Sequence, residues 1–482
     1  MYLGLDLGTS GLKGLLIDGD QRVVGSATAA LSVVRPKDGW SEQKPEAWIS
    51  ACRSVLAGLS HGYPKEMAAL RGIGLSGQMH GATLVDRKGR AIRPAILWND
   101  TRAHAEAAAL DALPFMRDVT GSIVFPGFTA PKLNWLRGHE RPAFDRIDKV
   151  LLPKDFLRLW LTGDAVSEMS DASGTSWLDV RRRSWSDDAL AATGLTRDHM
   201  PALVEGSEVS GTVRAALAEE FGLPAGVRVA GGGGDNAASA IGTGVVGEGD
   251  AFLSLGTSGV LFAANDGYRP NPASAVHTFC HALPGKWHQM GVILAASDAL
   301  NWFSGILQTP AHDLTAALGA NLQPPGRTRF LPYLGGERTP HNDATIRAGF
   351  VGLSHADDRN ALVRAVLEGV AFAFRDCQEA LSAAGTRIGQ CLAVGGGTRS
   401  DYWLKLLATV LNVRIELPEN GEHGGSFGAA RLAIIASGGA TVAEACTKPP
   451  IARTIEPDLA SSEAFQAAYE DYRALYPALK AL

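Results

Sequence analysis

The sequence predicts an α/β protein made of two related domains. Its 482 residues exceed what one ordinary hydrophobic core organises, so two or three domains are expected. A Leu-Gly-Thr-Ser-Gly corner between two apolar strands occurs at residues 7–11 and again, half a chain later, at residues 255–259. Glycine runs at 231–234 and 395–397 each separate a predicted strand from a predicted helix. The repeated corner indicates two related domains that face one another.

The first corner carries groups suited to phosphate. Asp6 is followed by Gly8, Thr9 and Ser10, which offer backbone N–H groups and two hydroxyls. Backbone donors hold phosphate oxygens, whereas the Asp6 carboxylate would repel them, so a bridging cation is implied. A single Gly-Thr-Ser-Gly turn is more often an ordinary hairpin turn, but its repetition favours a phosphate site. The second copy consists of Gly256, Thr257, Ser258 and Gly259.

Bulk composition excludes several classes of protein. A net charge of −5 and a pI near 6.2 argue against a nucleic-acid groove or an anionic membrane surface as partner. No export signal and no apolar segment of membrane-spanning length is visible in the sequence. The five cysteines are scattered and form no C-x-x-C pair, which indicates reduced thiols and a cytoplasmic location.

Two polar clusters in the first half are candidate contacts for a small ligand. Gln78, Met79 and His80 follow a predicted strand among glycines, although a lone histidine is usually structural. Trp98 and Asn99 end a hydrophobic run. An aromatic face on sugar C–H groups with an amide on the hydroxyls is a common way to hold a sugar. A surface loop with a tryptophan anchored in the core is the alternative interpretation.

Two further motifs are rejected from their context. Residues 72–77 satisfy G-x-G-x-x-G, but the next segment is a strand and not the helix that a dinucleotide site requires. Residues 424–428 satisfy G-x-S-x-G, but a predicted loop and not a strand precedes them, so a hydrolase nucleophile is set aside. The charged groups Lys154-Asp155 and 181–183 are interpreted as solvated.

Asp235 is the best candidate for a general base. The four preceding glycines cost backbone entropy, so this segment is expected to approach another group closely. Asp235 begins a helix, and a simple helix cap is the alternative role. Together with the two phosphate corners, the position favours catalysis. Glycine-rich sequence at 242–249 places the domain boundary there, which predicts domains at 1–244 and 245–482.

The second glycine run predicts a surface for a flat ring. Gly395, Gly396 and Gly397 follow a strand and precede a helix that contains Trp403. Bare backbone in this position allows an aromatic base to lie against it, and adenine is the expected occupant.

Taken together, the motifs closely resemble those of the FGGY carbohydrate kinases, and within that family the members that phosphorylate D-xylulose. The resemblance runs in order from Tyr2 nearly to the C-terminus at family-like spacing. Its segments are Asp-Leu-Gly-Thr-Ser at 6–10, Gly-Gln-Met-His-Gly at 77–81, Leu-Trp-Asn-Asp at 97–100, Gly-Gly-Gly-Asp-Asn at 232–236, Leu-Gly-Thr-Ser-Gly at 255–259, Gly-Gly-Glu-Arg-Thr-Pro at 335–340 and Gly-Gly-Gly at 395–397.

The resemblance implies two actin-like, ribonuclease-H-like α/β ATPase domains with a cleft between them that binds ATP and sugar. It implies that Asp235 takes the proton from the sugar hydroxyl and that Asp6 holds Mg²⁺. The implied sugar contacts are Gln78, Met79, His80, Trp98, Asn99, Asp235 and Asn236. The implied nucleotide contacts are Gly8, Thr9, Ser10, Lys13, Gly256, Thr257, Ser258, Gly259, Gly395, Gly396, Gly397 and Ser400.

The implied reaction is the phosphorylation of D-xylulose to D-xylulose 5-phosphate by ATP. Glycerol kinases of the family carry an Arg-Glu pair where this chain has Met79 and His80, which favours xylulose over glycerol. Residues 424–428 depart from the Gly-Pro-Ala-Leu-Gly of comparable kinases, which leaves nucleotide contacts there open. The alternatives are a kinase of another ketose or polyol, a sugar-independent actin-like ATPase, and a sugar sensor, which should have lost Asp6 or Asp235. A homodimer is a family expectation.

Overall fold

The computed structural model describes residues 1–419 and 424–481, which form two compact units. The first unit contains Met1–Val246, Phe279–Trp287 and residues 424–448, and the second contains Gly247–Thr278 and residues 288–419 and 449–481. Each unit is therefore assembled from separate stretches of chain. The boundary at residues 244 and 245 stays a prediction.

The strands are β1 (Tyr2–Leu7), β2 (Gly11–Ile17), β3 (Val23–Ala30), β4 (Glu42–Gln43), β5 (Gly72–Gly77), β6 (Thr83–Val85), β7 (Ala95–Ile96), β8 (Lys149–Leu151), β9 (Val166–Glu168), β10 (Leu178–Asp179), β11 (Ser184–Trp185), β12 (Ala202–Val204), β13 (Val209–Thr212), β14 (Arg228–Ala230), β15 (Gly233–Gly234), β16 (Ala251–Leu255), β17 (Gly259–Asn265), β18 (His277–Cys280), β19 (Trp287–Ile293), β20 (Arg329–Leu331), β21 (Gly349–Val351), β22 (Gln390–Val394), β23 (Arg414–Pro418) and β24 (Ile451–Ile455). The α-helices are α1 (Pro45–Gly62), α2 (Pro64–Met67), α3 (His104–Asp111), α4 (Met116–Thr120), α5 (Thr129–His139), α6 (Arg141–Phe144), α7 (Pro153–Thr162), α8 (Met169–Ser173), α9 (Asp187–Ala192), α10 (Ala215–Glu220), α11 (Asp235–Thr243), α12 (Ser297–Leu307), α13 (Ala311–Ala316), α14 (Arg359–Ala383), α15 (Asp401–Leu411), α16 (Gly424–Ala436), α17 (Val442–Ala445) and α18 (Ser462–Lys480). Short 3₁₀ helices span Arg197–His199, Pro272–Ser274 and Gly396–Arg399.

The first unit is built on a sheet with the strand order β13-β14-β5-β1-β2-β3, in which β15 also pairs with β5. Strands β1, β2 and β3 form antiparallel pairs, whereas β5 is parallel to β1, β14 and β15. The central strands β1 and β5 are almost entirely buried, which explains why their sequences are continuous apolar and glycine runs rather than alternating patterns.

The second unit is built on a sheet with the order β18-β19-β17-β16-β22-β23-β24. Here β16 and β17 form an antiparallel hairpin, β22 is parallel to β16, and β23 is parallel to β22. The first sheet has the same arrangement, with the β1–β2 hairpin flanked by the parallel strands β5 and β14. The repeat that the two corners predicted therefore extends to strand topology, and the α/β class is confirmed.

Helix α16 packs very closely on the first sheet because glycines remove the intervening side chains. A Cβ atom at Gly4 would lie 1.7 Å from the carbonyl oxygen of Ser426, and one at Gly74 would lie 1.8 Å from that of Ala429. A Cβ atom at Gly428 would likewise clash with the backbone of α11. The G-x-S-x-G segment is thus part of a helix–sheet contact, and its Ser426 side chain is buried.

The prediction that Lys154 and Asp155 are solvated is wrong. Both side chains are 0% exposed, and the Lys154 Nζ atom lies 2.7 Å from Asp155 Oδ1. They are buried because most of the first two turns of α7 lie inside the first unit. In the second charged group, Arg181 and Arg182 are exposed, whereas Arg183 is partly buried and ion-paired. Within the described residues, no helix is long and apolar enough to cross a membrane.

We expect Gly74→Ala to lower the free energy of unfolding of the first unit by about 3 kcal/mol, because the new Cβ atom meets backbone and not a flexible side chain. Urea denaturation followed by circular dichroism measures the change. Gly138→Ala in α5 is the matched control: no heavy atom lies within 4 Å of its Cβ position, so it should raise stability by roughly 0.5 kcal/mol. Equal unfolding midpoints for the two variants would contradict the packing argument.

Candidate active site

Strand register brings two aspartates to the same edge of the first sheet. Asp6 of β1 is paired with Ser76 of β5, and Gly233 of β15 is paired with the same Ser76 on the other side. Strand β15 then ends, and Asp235 is the first residue of helix α11. Parallel strands end at one edge of a sheet, which is where α/β proteins bind ligands. The two candidate catalytic residues therefore lie near one another.

The environment of Asp235 favours a basic carboxylate. Burial, and secondly the negative charge of Asp6, raise the pKa of Asp235 to about 6. The backbone N–H of Asn236 and its Nδ2 atom donate to Asp235 Oδ1 at 2.7 Å and 3.0 Å and oppose this rise in pKa. The side chain does not cap α11, whose N-cap residue is Gly234. Asp235 is therefore a buried carboxylate with a raised pKa and does not serve as the helix cap.

Asp6 has an unused acceptor. Burial raises its pKa, and the Ser76 hydroxyl and the charge of Lys13 partly offset that rise. Lys13 lies directly opposite Asp6 in the β1–β2 hairpin. The Oδ1 atom of Asp6 is buried and, apart from the electrostatic contact of this carboxylate with the Ser76 hydroxyl, has no hydrogen-bond partner among the described residues. An orphaned carboxylate oxygen of this kind fits a cation ligand.

The first corner is linked by hydrogen bonds to the predicted sugar contacts. Thr9 Oγ1 accepts from the indole Nε1–H of Trp98 at 3.0 Å and donates to Gln78 Oε1 at 3.0 Å. The Gly8 N–H donates within the turn, to Gly11 at 2.9 Å, so it is not directed at a ligand in this arrangement. Ser10 is exposed. Phosphate and sugar candidates thus share one network in the first unit.

Met79 lies beside Gly234, the glycine that precedes Asp235, whereas the next residue, His80, contacts Gly174 and Phe128. A Cβ atom at Gly234 would be 2.9 Å from Met79 Sδ, so this glycine is needed for the close approach. His80 has a positive φ of 67°, and its Nδ1 atom is 2.8 Å from the carbonyl oxygen of Gly174. Its ring stacks on Phe128 with a centroid separation of 4.5 Å. The hydrogen bond and the ring stacking together fix the orientation of the His80 imidazole.

Trp98 is exposed and not anchored in the core. Its side chain is 45% accessible, while its indole N–H is fixed on Thr9, which leaves ring surface available to a ligand. Asn99 has a buried Oδ1 atom with no hydrogen-bond partner among the described residues. This arrangement contradicts the alternative of a core-anchoring tryptophan and suits the recognition of a polar ligand.

The sequence did not indicate two residues that donate hydrogen bonds within this site. Gln43 donates to the Thr9 carbonyl at 2.7 Å and accepts from Gln78 Nε2 at 3.0 Å. Lys132 is fully buried and donates to the His80 carbonyl at 2.9 Å, and burial lowers its pKa to about 7. Neither residue belongs to a glycine motif, and only the tertiary fold brings them to the site.

The second unit contains a cavity of about 880 Å³ beside its own corner and glycine run. Of the predicted nucleotide residues, those that line it are Gly256, Thr257, Gly396, Gly397 and Ser400. Asn301, His312 and Tyr402 also line it, and no sequence motif indicated them. Strand β22, the 3₁₀ turn and α15 follow in the predicted order, with Ser400 Oγ capping α15 through the Trp403 N–H at 3.3 Å.

Two of the other predicted nucleotide residues of the second unit, Gly259 and Gly395, occupy positions that favour glycine for packing or backbone conformation. A Cβ atom at Gly259 would be 2.4 Å from the Phe374 ring, so this glycine allows core packing. Gly395 has a φ of 97° and lies against the backbone of Leu255. The corner carbonyl of Gly256 accepts from the Ser297 N–H at 2.9 Å, which fixes α12 beside it. Ser258 is exposed.

Comparison with protein families decides the kind of enzyme. The model of the FGGY family of carbohydrate kinases, N-terminal domain, matches residues 1–242, and that of the C-terminal domain matches residues 251–437. The chain belongs to the FGGY family of carbohydrate kinases. It is therefore a carbohydrate kinase with the two α/β domains of the actin-like fold, as the motifs predicted.

The relatives of this FGGY kinase are similar over almost their whole length. It is 46% identical to the xylulose kinase of Escherichia coli, with 99% of each chain covered. Its fold is similar to a structure described as a xyloylose kinase from Brucella ovis, with 61% identity, a TM-score of 0.98 and coverage of 100% and 99% of the two chains. The xylulose kinase of Rhodospirillum rubrum gives 30% identity, a TM-score of 0.93 and 99% coverage of both chains.

If the cavity of the second unit holds the nucleotide, Gly396→Leu should raise KM for ATP roughly tenfold, a loss of about 1.4 kcal/mol of binding. No heavy atom lies within 4 Å of the Cβ position of Gly396, so the side chain would enter the cavity and leave the fold intact. Steady-state kinetics with varied ATP measures the effect.

The matched control is Gly389→Leu. Its Cβ position is equally open, but it lines a different cavity of about 570 Å³ in the same unit. We expect its KM for ATP to equal that of the unmodified enzyme. Equal effects of the two substitutions would contradict the assignment of the larger cavity to the nucleotide.

Proposed function

We propose that this FGGY kinase transfers the γ-phosphoryl group of ATP to D-xylulose and forms D-xylulose 5-phosphate and ADP. The observation that carries the proposal is the pair of neighbouring carboxylates at the edge of the first sheet, with the pKa of Asp235 raised to about 6 and a free acceptor on Asp6. The xylulose kinases that match nearly the full chain support the choice of sugar.

Asp235 acts as the general base in this proposal. Its carboxylate accepts the proton of the sugar's terminal hydroxyl as that oxygen attacks phosphorus. A pKa of about 6 leaves it mostly ionised at neutral pH and more basic than an ordinary aspartate. Phosphoryl transfer needs little covalent help from the protein, so correct placement of this carboxylate is its main contribution.

Asp6 is the proposed ligand of Mg²⁺. The described residues contain no group of three or more His, Cys, Asp or Glu side chains suited to a metal, which agrees with an ion held by one carboxylate and the nucleotide. Bound Mg²⁺ neutralises charge on the transferring phosphoryl group. Asp6 would also repel Asp235 less when its charge is shared with the cation.

The sugar is proposed to contact Gln78, Met79, His80, Trp98, Asn99 and Asn236. Met79 supplies an apolar surface beside Gly234, and Trp98 supplies an exposed ring. The unpartnered Oδ1 atom of Asn99 is available to a sugar hydroxyl. The nucleotide is proposed to place its adenosine in the 880 Å³ cavity of the second unit, with the second corner along the phosphates.

The function is tested by ADP release with MgATP and a panel of D-xylulose, D-ribulose, L-ribulose, L-rhamnulose, glycerol and gluconate, with a control lacking sugar. Stimulation by D-xylulose above all other sugars is the expected result. Preference for another sugar of the panel would overturn the choice of substrate but keep the kinase assignment. ADP release that does not depend on sugar would overturn the proposed transfer.

We also propose that the protein is a homodimer and that it is located in the cytoplasm. Light scattering coupled to size-exclusion chromatography measures the mass in solution. A mass near 50.6 kDa, that of one chain, would contradict the dimer.

Asp235→Ala should lower kcat by roughly two to four orders of magnitude because the proton acceptor is lost. Equilibrium binding of D-xylulose, measured by calorimetry, should change little. Asp187→Ala is the matched control, since Asp187 is likewise the first residue of a helix, α9, but is exposed and paired with Arg197. Turnover of the Asp235 variant within tenfold of the unmodified enzyme would remove this residue from the role of base.

The pH profile of kcat/KM for the sugar should fall tenfold per pH unit below the pKa of Asp235, because protonated Asp235 cannot accept the proton. This pKa is about 6 without Mg²⁺ and should be lower when Mg²⁺ shares the charge of Asp6. Asn236→Ala removes the Nδ2 hydrogen bond that stabilises the ionised carboxylate, so the pKa of Asp235 and the acid limb should move to higher pH. An acid limb that stays in place in this variant would contradict the assignment of the limb to Asp235.

A further inference from the structure

Five fully buried charged side chains form a cluster in the first unit. They are Lys154, Asp155, Arg158, Glu168 and Asp171. The ammonium group of Lys154 lies 2.7 Å from Asp155, 3.2 Å from Glu168 and 3.0 Å from Asp171. Three carboxylates thus surround two cations, away from water.

This buried charge cluster is bonded to the glycine run that precedes Asp235. The guanidinium group of Arg158 donates to the carbonyl oxygen of Ala230 at 2.6 Å and to that of Gly231. Arg158 also lies 3.5 Å from Asp155. The first half of the run is therefore held at its carbonyl groups by a buried cation.

Ser170 holds the second half of the run. Its Oγ atom accepts from the Gly234 N–H at 3.0 Å and donates to Glu168 Oε2 at 2.7 Å. Glu168 in turn caps helix α8, because its carboxylate accepts from the N–H groups of Ser170 and Asp171. Gly234 directly precedes Asp235, so a single peptide unit separates this hydrogen bond from the proposed base.

The same short helix also touches the proposed sugar site. Gly174 follows α8, and its carbonyl oxygen is 2.8 Å from Nδ1 of His80. A Cβ atom at Gly174 would lie 2.4 Å from the His80 ring and 3.1 Å from Met79 Cε. Near its start, helix α8 contacts the residue before Asp235 through Ser170. At its end it contacts His80 through Gly174.

Stability alone does not account for such a cluster. Burying ions costs several kcal/mol each, and apolar residues of similar volume often give equal or greater stability. What a buried network of ion pairs and hydrogen bonds supplies is one definite geometry. Here the network defines the positions of Gly234, which precedes Asp235, and of Gly174, which contacts His80.

We propose that Ser170 is a positioning residue for Asp235: it fixes the Gly234 peptide from which the base extends, and Glu168 with Lys154 orients the Ser170 hydroxyl. This inference rests on the proposed function, since it concerns how the base is placed. Loss of the hydroxyl would leave the Gly234 N–H without its acceptor and release the end of the glycine run.

The test compares Ser170→Ala with Ser173→Ala. Ser173 lies on the same helix, is equally buried, accepts a backbone N–H from Cys280 at 3.0 Å and donates to Met169 at 2.8 Å. Neither of these hydrogen bonds involves the glycine run. Ser173 therefore matches Ser170 in residue type, helix and burial, but not in the contact under test. Both variants should show similar thermal unfolding midpoints.

We expect Ser170→Ala to lower kcat roughly 10- to 100-fold, the usual effect of a misplaced catalytic group, with KM for D-xylulose changed less than about threefold. The acid limb of its pH profile should move to lower pH, because a released loop exposes Asp235 to water. Amide hydrogen exchange in peptides covering residues 230–240 should be faster than in Ser173→Ala. Equal kcat and equal exchange in the two variants would overturn the positioning role.

A third variant separates this inference from the proposed function. In an Asp235→Ala background, Ser170→Ala should cause no further loss of turnover, because the residue acts through Asp235. If Asp235→Ala alone retains turnover, the base assignment fails and the positioning role fails with it. If Asp235→Ala is inactive as expected but Ser170→Ala keeps normal turnover, only the positioning role is overturned.

Discussion

The candidate site of the first unit depends on one constraint. Two carboxylates, those of Asp6 and Asp235, lie near one another where the strands of a buried sheet end. The parallel register of β1, β5 and β15 places Asp6 and Asp235 at neighbouring strand ends, where burial and mutual repulsion raise the pKa of Asp235. Such a pair is unfavourable by itself, because each charge loses water and neither neutralises the other. In the proposed mechanism, a cation held by Asp6 and a proton taken by Asp235 would both relieve this repulsion, and phosphoryl transfer would use both.

Close backbone packing makes this arrangement possible. Glycines at positions 4 and 74 let α16 rest on β1 and β5, and the glycine run before Asp235 passes so close to its neighbours that side chains would collide with them. A segment with so little side-chain packing needs other restraints. Hydrogen bonds from Arg158 and Ser170, backed by fully buried charges, supply them on one side. The glycine run can therefore keep one backbone conformation although glycine itself is conformationally free.

Much of the candidate site was predictable because its chemistry is local in sequence. The two corners, the glycine runs and Asp235 at a helix start each depend on a few consecutive residues whose backbone freedom or charge is recognisable. Gln43 and Lys132 were not predictable, since ordinary residue types acquire their roles only through partners far along the chain. The error at Lys154 and Asp155 has the same origin: charged residues are usually exposed, and only three-dimensional pairing allows them to be buried.

The sequence by itself determined the repeated α/β domain plan and the family, and it singled out Asp6 and Asp235 as candidates, because strand hairpins, glycine turns and motif order are properties of short segments. Only the tertiary structure decided the register that places Ser76 between Asp6 and Gly233, the exposure of Trp98, and the burial of the charge cluster beneath Asp235. These features arise from contacts between residues tens to hundreds of positions apart. Their free energies depend on distance, desolvation and packing, which become defined only when the chain has folded.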